Sequence, residues 1–375
     1  MRAKKLKIAI LIRSFSGSRG GAERYCVELT KKLSKFHEVH VFSQEIMTLV
    51  ENVTFHKINS KISKPRFVNQ IIFSLVTKQE TKNKFDIIHS HDMVTHANVY
   101  TIHVPCFKTK FTKSNLVSKF IQSIGMLISL RKLSYLLLEY FVFKPNSSKQ
   151  IISVSNLLMK NIKLNYPNSP SNVVAYPGFS HRESTNSSEK LLIRKGLNLD
   201  DKYFTILFVG NGFLRKGLPQ VIKALEEIYA PNIKLLVAGN GNRQEISFQN
   251  KDLEKNTQFL GQIQNMSELY ESSDLLIHPT LGDTFGMTVL EAMLHKIPVI
   301  VSNSSYCGIS EILSVKEVFL LNDPKDSIEI SNYILFIRSN PKIVEEKLEK
   351  AKKIAEELSW DKTCDKTLEA YKKIL

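Results

Sequence analysis

Residues 282–293 have the sequence GDTFGMTVLEAM. One acid lies near each end of this stretch, at Asp283 and Glu291, and small residues lie at its start. The preceding run, DLLIHP, is typical of a buried strand, and the pattern after Gly286 is that of a helix. A helix that only packed in a core would need neither the acids nor the glycines. The stretch therefore predicts a strand, a loop and a helix that together form a ligand site.

The predicted helix start offers backbone N–H groups that have no partner within the helix, and such groups bind anions. Gly286 and Met287 lie at this start, where a missing side chain allows a phosphate to approach, and Thr288 adds a hydroxyl donor. Carboxylates bind sugar and ribose hydroxyls, so Asp283 and Glu291 suggest a nucleotide sugar lying between them. Because Asp283 lies in a loop, the sequence does not fix the distance between the two carboxyl groups, which is the quantity that identifies a glycosidase pair. The alternative is that Asp283 only caps the helix.

Strand-like runs alternate with helical patterns along the whole chain, which predicts α/β units with mainly parallel sheets. The runs in the first half are 7–13, 37–43, 53–59, 85–91, 99–104, 150–155 and 172–177. Those in the second half are 204–210, 233–239, 257–261, 274–279, 297–302 and 318–321. A polar stretch at 181–190 predicts a linker between two domains, 1–180 and 190–358. The last helix, 360–375, is predicted to pack back on the first domain.

The charge is divided unevenly along the chain. Residues 1–180 contain 27 Lys and Arg against 9 Asp and Glu, whereas residues 181–375 contain 25 against 27. Within residues 104–165, ten basic residues accompany one acid, Glu139. Nucleic acid, an anionic membrane surface or an acidic substrate would each explain a basic first half.

Other sequence features exclude some classes of protein. The four cysteines are widely spaced, which argues against a zinc site or a disulfide scaffold and favours a reducing compartment. The apolar run near the amino terminus is too short for a signal peptide, and a first strand is expected there instead. No stretch reaches the roughly 18 apolar residues of a membrane span.

The stretch at 282–293 resembles the E-x7-E signature of retaining GT-B glycosyltransferases of family 4, and this resemblance extends over nearly the whole chain. It implies two Rossmann-like, doubly wound parallel-sheet domains that face each other across a cleft. It also implies that Asp283 contacts the donor sugar and Glu291 the ribose. The sequence departs from the family pattern because the first acid is Asp, one methylene shorter than Glu.

The segment FVGNGFLRKG, residues 208–217, agrees with this resemblance. The family places cations that neutralise the departing diphosphate where Arg215 and Lys216 stand, and Gly210 lies in the donor-binding turn. Asn211 occupies the place where the family more often has Arg, and the adjacent Arg-Lys resembles the lipopolysaccharide-core glucosyltransferase branch. Two cations make a metal unnecessary, and no D-x-D motif is evident, so no metal or other cofactor is expected.

In the first half, the turn GGAERY resembles the family's GGAE turn. Gly21 would approach the donor phosphates or the acceptor at a helix start, and Glu23 and Arg24 would touch the acceptor. The turn is not G-x-G-x-x-G, so a dinucleotide site is not expected.

Four histidines within 89–104 fit no metal-binding spacing. His103 resembles the family's histidine beside the donor sugar, which implies an orienting group or proton relay. The loops AGNGN and FLGQI resemble the family's nucleobase loops and contain Asn240 and Ile263. Each loop is equally typical of an ordinary turn that follows a strand.

Residues 111–145 mix Lys and Arg with apolar and aromatic residues, which suits docking on an anionic membrane without insertion, although core packing explains the apolar face equally. We therefore expect a cytoplasmic, peripheral membrane enzyme that retains anomeric configuration. It would move a hexose, glucose by branch resemblance, from UDP to a lipid-linked or lipopolysaccharide-core acceptor, and it would bind no nucleic acid. The alternatives are a GT-B sugar phosphorylase, a nucleotide-sugar epimerase, and a non-catalytic module that binds polyanions.

Overall fold

A computed structural model describes residues 5–59, 62, 64–109, 129–179, 193–196, 199–200, 202–228, 232–263 and 265–375. Two compact units divide the chain: the first comprises Met1–Gly178 and Ser359–Leu375, and the second comprises Phe179–Leu358. The predicted linker at 181–190 and residues 111–128 of the predicted amphipathic segment lie outside the described residues.

The strands follow the predicted runs closely. They are β1 Lys7–Leu11, β2 Ser14–Phe15, β3 Glu38–Ser43, β4 Glu45–Ile46, β5 Val53–Lys57, β6 Ile87–Ser90, β7 Val99–Ile102, β8 Gln150–Ser153, β9 Ser171–Val174, β10 Phe204–Val209, β11 Ile233–Ala238, β12 Thr257–Gly261, β13 Leu275–His278, β14 Val299–Ser302 and β15 Phe319–Leu321. Most are one to three residues shorter than the predicted runs.

Helices connect the strands. They are α1 Gly21–Leu33, α2 Arg66–Thr81, α3 Leu130–Phe143, α4 Asn156–Asn165, α5 Phe213–Lys216, α6 Leu218–Glu227, α7 Lys251–Lys255, α8 Met266–Ser272, α9 Met287–Leu294, α10 Ser327–Ser339, α11 Pro341–Glu357 and α12 Trp360–Lys372. Several begin at the capping residues that sequence rules favour. Ser155 caps α4, Asp326 caps α10 and Ser359 caps α12.

In the first unit, a parallel sheet has the strand order β5-β3-β1-β6-β7-β8-β9 among the described residues. The central strands β1, β7 and β8 are almost entirely buried, as expected for strands covered on both faces. Two short strands, β2 and β4, form a separate parallel pair that the sequence patterns did not predict.

In the second unit, a parallel sheet has the order β12-β11-β10-β13-β14-β15. Numbered from its own first strand, this is the Rossmann order 3-2-1-4-5-6. The order reverses between β10 and β13, and ligands of such sheets bind beyond the carboxyl ends of the strands at this switch point. The predicted fold class, two Rossmann-like parallel-sheet domains, is confirmed.

The final helix belongs to the first unit, although the second unit precedes it in sequence. α12 packs against α1, β8 and β9. Within this contact Tyr371 Oη lies 2.8 Å from His89 Nδ1, and Trp360 packs edge-on against Tyr25 at 5.5 Å between ring centroids. The same helix donates a hydrogen bond from Thr363 Oγ1 to the carbonyl of Tyr176 at 2.6 Å.

Candidate functional site

Two loops meet at the switch point of the second sheet. Residues 210–217 follow β10, and residues 279–286 follow the adjacent β13. Gly217 has φ +83°, and a Cβ there would lie only 2.1 Å from the carbonyl oxygen of Pro279. Only glycine permits both this backbone conformation and this close approach, so Gly217 allows the two loops to lie in direct contact.

Asp283 forms the centre of this contact. Lys216 Nζ donates to Oδ2 of Asp283, and His278 Nε2 lies 3.0 Å from the same oxygen. The Lys216 and Asp283 side chains are 10% and 18% exposed, and that of His278 is 0% exposed. The backbone N–H of Asp283 donates to the carbonyl of Tyr306 at 2.8 Å. Lys216 and His278 therefore hold the carboxylate, and Tyr306 holds the backbone of the same residue.

The charges of this cluster follow from its surroundings. Burial acts to raise the pKa of Asp283, but the positive charge of Lys216 and the hydrogen bond from His278 outweigh burial and hold that pKa below its usual range. Burial lowers the pKa of His278, and the charge of Lys216 lowers it further. At neutral pH the cluster therefore contains a carboxylate, an adjacent cation and a neutral imidazole.

Arg215 lies beside this cluster and is exposed. Its Nη1 donates to the carbonyl of Gly282 at 2.5 Å, and its Nη2 donates to the carbonyl of Asn211 at 3.2 Å. The guanidinium thus bridges the two loops while remaining open to solvent. Arg215 and Lys216 are adjacent in sequence but differ in setting, since one is exposed and the other is buried against Asp283.

Helix α9 begins at the predicted place. Gly286 is its N-cap, with φ +104°, and no side chain caps the helix. A Cβ on Gly286 would lie 2.8 Å from Cys307 Sγ and 3.1 Å from Ile309 Cγ2, so the position excludes a larger residue on both conformational and steric grounds. The amides of Met287 and Thr288 belong to the first turn of the helix, where N–H groups lack intrahelical acceptors.

Glu291 lies one turn further along α9 and is buried, with 9% exposure. Tyr270 in α8, which is 1% exposed, donates its hydroxyl to Glu291 Oε2 at 2.7 Å. The Tyr270 ring stacks on His295 with 5.4 Å between centroids. A hydrogen bond to a buried carboxylate fixes the orientation of that carboxylate, and here the donor is a residue that the sequence interpretation did not include.

The loops after β10, β11 and β12 are tied together. The N–H of Asn240 donates to Asn211 Oδ1 at 2.8 Å, and the N–H of Gly212 donates to the carbonyl of Asn240 at 2.7 Å. Gly239, with φ +112°, donates to the carbonyl of Gly261 at 2.7 Å. Asn240 is thereby placed next to the turn that begins at Gly210, and the half-buried Ile263 follows β12.

The first unit carries the other predicted residues. Helix α1 begins at Gly21, which is exposed, and Gly20 is its N-cap. Glu23 folds back over this helix start, so that a Cβ on Gly20 would lie 2.8 Å from Glu23 Oε2. A carboxylate at a helix N-terminus is favourable and competes with any other anion there. Arg24 lies in the same turn, half-buried.

His103 belongs to a group of aromatic side chains beyond β6 and β7. Its Nε2 lies 3.0 Å from His91 Nδ1, and the His91 ring stacks between His103 and His89. Tyr25 packs edge-on against His103 at 5.1 Å. Burial lowers the pKa of His103 to about 3 and that of His89, also lowered by His103, to about 3. These histidines are neutral at physiological pH.

The structure therefore groups the predicted residues into two sets. Arg215, Lys216 and Asp283 are brought together with the start of α9, and Glu291 lies in that same helix. His103 and the residues of the GGAE turn lie in the other unit. Within the described residues, no group of three or more His, Cys, Asp or Glu could hold a metal ion. No helix among the described residues is long and apolar enough to span a membrane.

Comparison with known proteins assigns this architecture to a family. Residues 19–179 match the model of Glycosyltransferase Family 4, and residues 189–358 match that of Glycosyl transferases group 1. The chain belongs to the GT-B glycosyltransferases. It is therefore an enzyme that transfers a glycosyl group, and the alternative of a non-catalytic binding module is set aside.

Several GT-B glycosyltransferases are similar to this chain. A glycosyltransferase of Methanocaldococcus jannaschii is 28% identical over 94% of both chains. The lipopolysaccharide glucosyltransferase WaaG of Escherichia coli is 24% identical over 48% of this chain and 50% of its own length. A crystal structure of WaaG matches with a TM-score of 0.80 and 18% identity, over 96% of this chain and 98% of that one. The structure of Anabaena HepE in complex with UDP and glucose matches with a TM-score of 0.72 and 16% identity, over 98% and 99%.

Sequence reasoning missed two residues that contact the predicted site residues of the second unit, His278 and Tyr270. His278 ends the buried strand β13 and lies five residues before Asp283, so a titratable side chain at a strand's carboxyl end was the available signal. Tyr270 offered no comparable signal. It lies 21 residues before Glu291, and nothing in the local pattern distinguishes it from a packed aromatic residue.

Proposed function

We propose that this glycosyltransferase retains anomeric configuration and moves glucose from UDP-glucose to a lipid-linked or lipopolysaccharide-core glycan. The observation that carries the donor half of the proposal is the cluster at the switch point. There a carboxylate, two cations and an uncapped helix start lie at the carboxyl end of one parallel sheet. WaaG, a lipopolysaccharide glucosyltransferase, and HepE, whose structures contain UDP and UDP-glucose, support the choice of sugar, base and acceptor class.

In this proposal the diphosphate binds at the start of α9, next to Gly286, where the amides and the helix dipole favour negative charge. Arg215 and Lys216 neutralise the charge that develops on the departing diphosphate. Asp283 accepts hydrogen bonds from the sugar hydroxyls, and Glu291, oriented by its tyrosine partner, accepts from the ribose. Gly210, Asn240 and Ile263, with the residues of the first turn of α9, Met287 and Thr288, complete the donor site.

The proposed chemistry needs no covalent enzyme intermediate. The acceptor oxygen forms a bond to the anomeric carbon on the face from which the diphosphate leaves, and the bond from that carbon to the phosphate oxygen breaks. The acceptor proton passes to the departing phosphate oxygen. We assign His103 the role of orienting the transferred sugar, Gly21 to donor binding, and Glu23 and Arg24 to the acceptor side. The neutral state of His103 suits a hydrogen-bonding role.

Donor identity is tested by thermal shift against UDP-, GDP- and ADP-glucose. A ligand at 100 times its dissociation constant stabilises the protein by ~2.7 kcal/mol, so UDP-glucose should raise the melting temperature more than the other two. Turnover with lipopolysaccharide-core oligosaccharide, followed by proton NMR of the new anomeric signal, should give the α-glucoside. Formation of glucose 1-phosphate with orthophosphate would favour the phosphorylase, and appearance of UDP-galactose would favour the epimerase.

We also propose that the first unit docks on an anionic membrane surface through α3. Four exposed apolar residues recur at helical spacing along this helix: Leu130, Leu133, Leu137 and Tyr140. The opposite face is buried in the unit, and the flanking cations are Arg131, Lys132 and Lys144. Each cation near an anionic surface contributes ~1 kcal/mol, so this combination suits reversible binding without insertion.

Flotation with phosphatidylglycerol vesicles tests this docking. Leu133→Glu together with Leu137→Glu should reduce the bound fraction at least tenfold, whereas phosphatidylcholine vesicles should bind little of either protein. The matched control replaces two exposed apolar residues of α10, Ile328→Glu with Leu335→Glu, which should leave flotation unchanged. Equal binding of both double variants would refute the proposal.

A further inference from the structure

His278 joins two parts of the proposed donor site. It is the last residue of β13, and its side chain is fully buried. Its Nε2 lies 3.0 Å from Asp283 Oδ2, and its Nδ1 lies 3.4 Å from Thr288 Oγ1 in the first turn of α9. One imidazole therefore connects the loop that carries the carboxylate with the helix that offers its amides.

The chemistry of the partners determines which atom donates at each contact. A carboxylate can only accept, so the His278 proton must lie on Nε2 and point to Asp283. Burial and the charge of Lys216 lower the pKa of His278, which leaves the ring neutral and Nδ1 without a proton. Nδ1 then accepts from the Thr288 hydroxyl. The hydroxyl proton of Thr288 is thus directed to His278, and not to a phosphate as the sequence suggested. The backbone amide of Thr288 remains the group suited to binding an anion.

The two bonds to Asp283 fall on the same oxygen. Lys216 Nζ and His278 Nε2 both donate to Oδ2, which leaves Oδ1 as the oxygen able to accept from a sugar hydroxyl. Two donors on one oxygen fix the direction of the carboxylate, and with it the position of Oδ1. A neutral donor in a dry setting fixes its direction without adding a second positive charge.

We propose that His278 is a positioning residue for sugar transfer: it fixes the Asp283 carboxylate and ties it to the first turn of α9. This inference rests on the proposed function of Asp283 as the sugar-binding acid. A reacting group displaced by about 1 Å can lose about 100-fold in rate. We therefore expect the loss of His278 to lower kcat while binding of the nucleotide itself changes little.

The experiment measures UDP release from UDP-glucose, and the dissociation constant of UDP by calorimetry, with the full chain. His278→Leu should lower kcat between 10-fold and 100-fold and change the UDP constant less than twofold. His278→Gln, whose amide can donate to Asp283, should recover most of kcat. In an Asp283→Asn background, His278→Leu should cause no further loss, because the residue acts through that carboxylate.

A merely structural role gives different results. His278→Leu would then lower the kcat of the Asp283→Asn variant by the same factor as it lowers that of the wild type, or it would weaken UDP binding in parallel with kcat. Either result overturns the proposal. His96→Leu is the control, since this imidazole lies in the other unit and its buried ring nitrogens have no hydrogen-bond partner. Its activity should match that of the wild type.

Nitrogen-15 NMR of the wild-type protein keeps the proposal testable if His278→Leu does not fold. The His278 signal should show the Nε2–H tautomer at pH 8, and the opposite tautomer at that pH overturns the assignment. The same measurement separates this inference from the proposed function. A protein that shows the tautomer but releases no UDP would refute the proposed donor and leave the His278 contact intact.

Discussion

Replacing Gly286 with alanine should destabilise the glycosyltransferase and weaken donor binding. The residue has φ +104°, a region that costs an L-residue ~1–2 kcal/mol. The new Cβ would also lie 2.8 Å from Cys307 Sγ, which is buried and lies 3.4 Å from the carbonyl of Phe285, so the sulfur cannot move freely. Such overpacking typically costs ~1–3 kcal/mol. The two effects together predict a loss of about 2–5 kcal/mol in the free energy of unfolding.

Urea unfolding of three variants measures this loss. Gly286→Ala should lower the midpoint, and combining it with Cys307→Ala should recover the overpacking part while the conformational part remains. Gly282→Ala is the matched control, since a Cβ there meets nothing within 4 Å, and its stability should stay within about 0.5 kcal/mol of the wild type. The reasoning is refuted if Gly286→Ala unfolds at the same urea concentration as Gly282→Ala.

Three further predictions concern the charged and buried groups. Tyr270→Phe keeps the ring but removes the hydroxyl that donates a hydrogen bond to Glu291. Such a bond to a charged group is worth ~1.5–3 kcal/mol, so the KM for UDP-glucose should rise at least tenfold. An unchanged KM would show that this hydrogen bond has no role in donor binding. Lys216→Met leaves its buried carboxylate partner without the adjacent cation and should lower both kcat and the melting temperature, whereas Arg215→Met should lower kcat alone. Equal melting temperatures of the two variants would contradict the difference in burial. The pKa of His89 in the folded protein is about 3, which lies below its unfolded value, so stability that is present at pH 7 should be lost as the pH falls below about 6.5. The loss should reach up to ~1.4 kcal/mol per pH unit for each such histidine. Urea midpoints that do not change between pH 7 and pH 5 would refute this.

The alternation of β-branched runs with helical patterns was sufficient to predict two α/β domains with mainly parallel sheets, and the family resemblance supplied the doubly wound, Rossmann-like order of their strands. Both sheets are parallel, and a run such as IAIL or LLVA is apolar on both faces, as expected for a strand that is covered on both sides. The start of α9 was also predictable, since Gly286 ends a loop that contains Gly282, Asp283 and Thr284, and the apolar helical pattern begins at the next residue. Local spacing determines these features, and the sequence displays local spacing directly.

The contacts of the candidate site were not predictable in the same way. Lys216 and Asp283 are 67 residues apart in sequence, and their pairing depends on β10 and β13 being neighbours in the sheet. The sequence analysis assigned Lys216 to the diphosphate and Asp283 to the donor sugar, and it gave no sign that the two side chains contact each other. The contact between Thr288 and His278 was missed for a related reason, because the direction of a hydroxyl depends on the neighbour that tertiary folding brings to it.

The position of α12 has a consequence for how the polypeptide matures. This helix covers β8 and β9 of the first unit, yet the ribosome synthesises it only after all of Phe179–Leu358. The sheet of the first unit therefore emerges early but obtains one of its covering helices only after the whole second unit has been synthesised. During that interval the apolar surface around Tyr25, which Trp360 later covers, is available to chaperones.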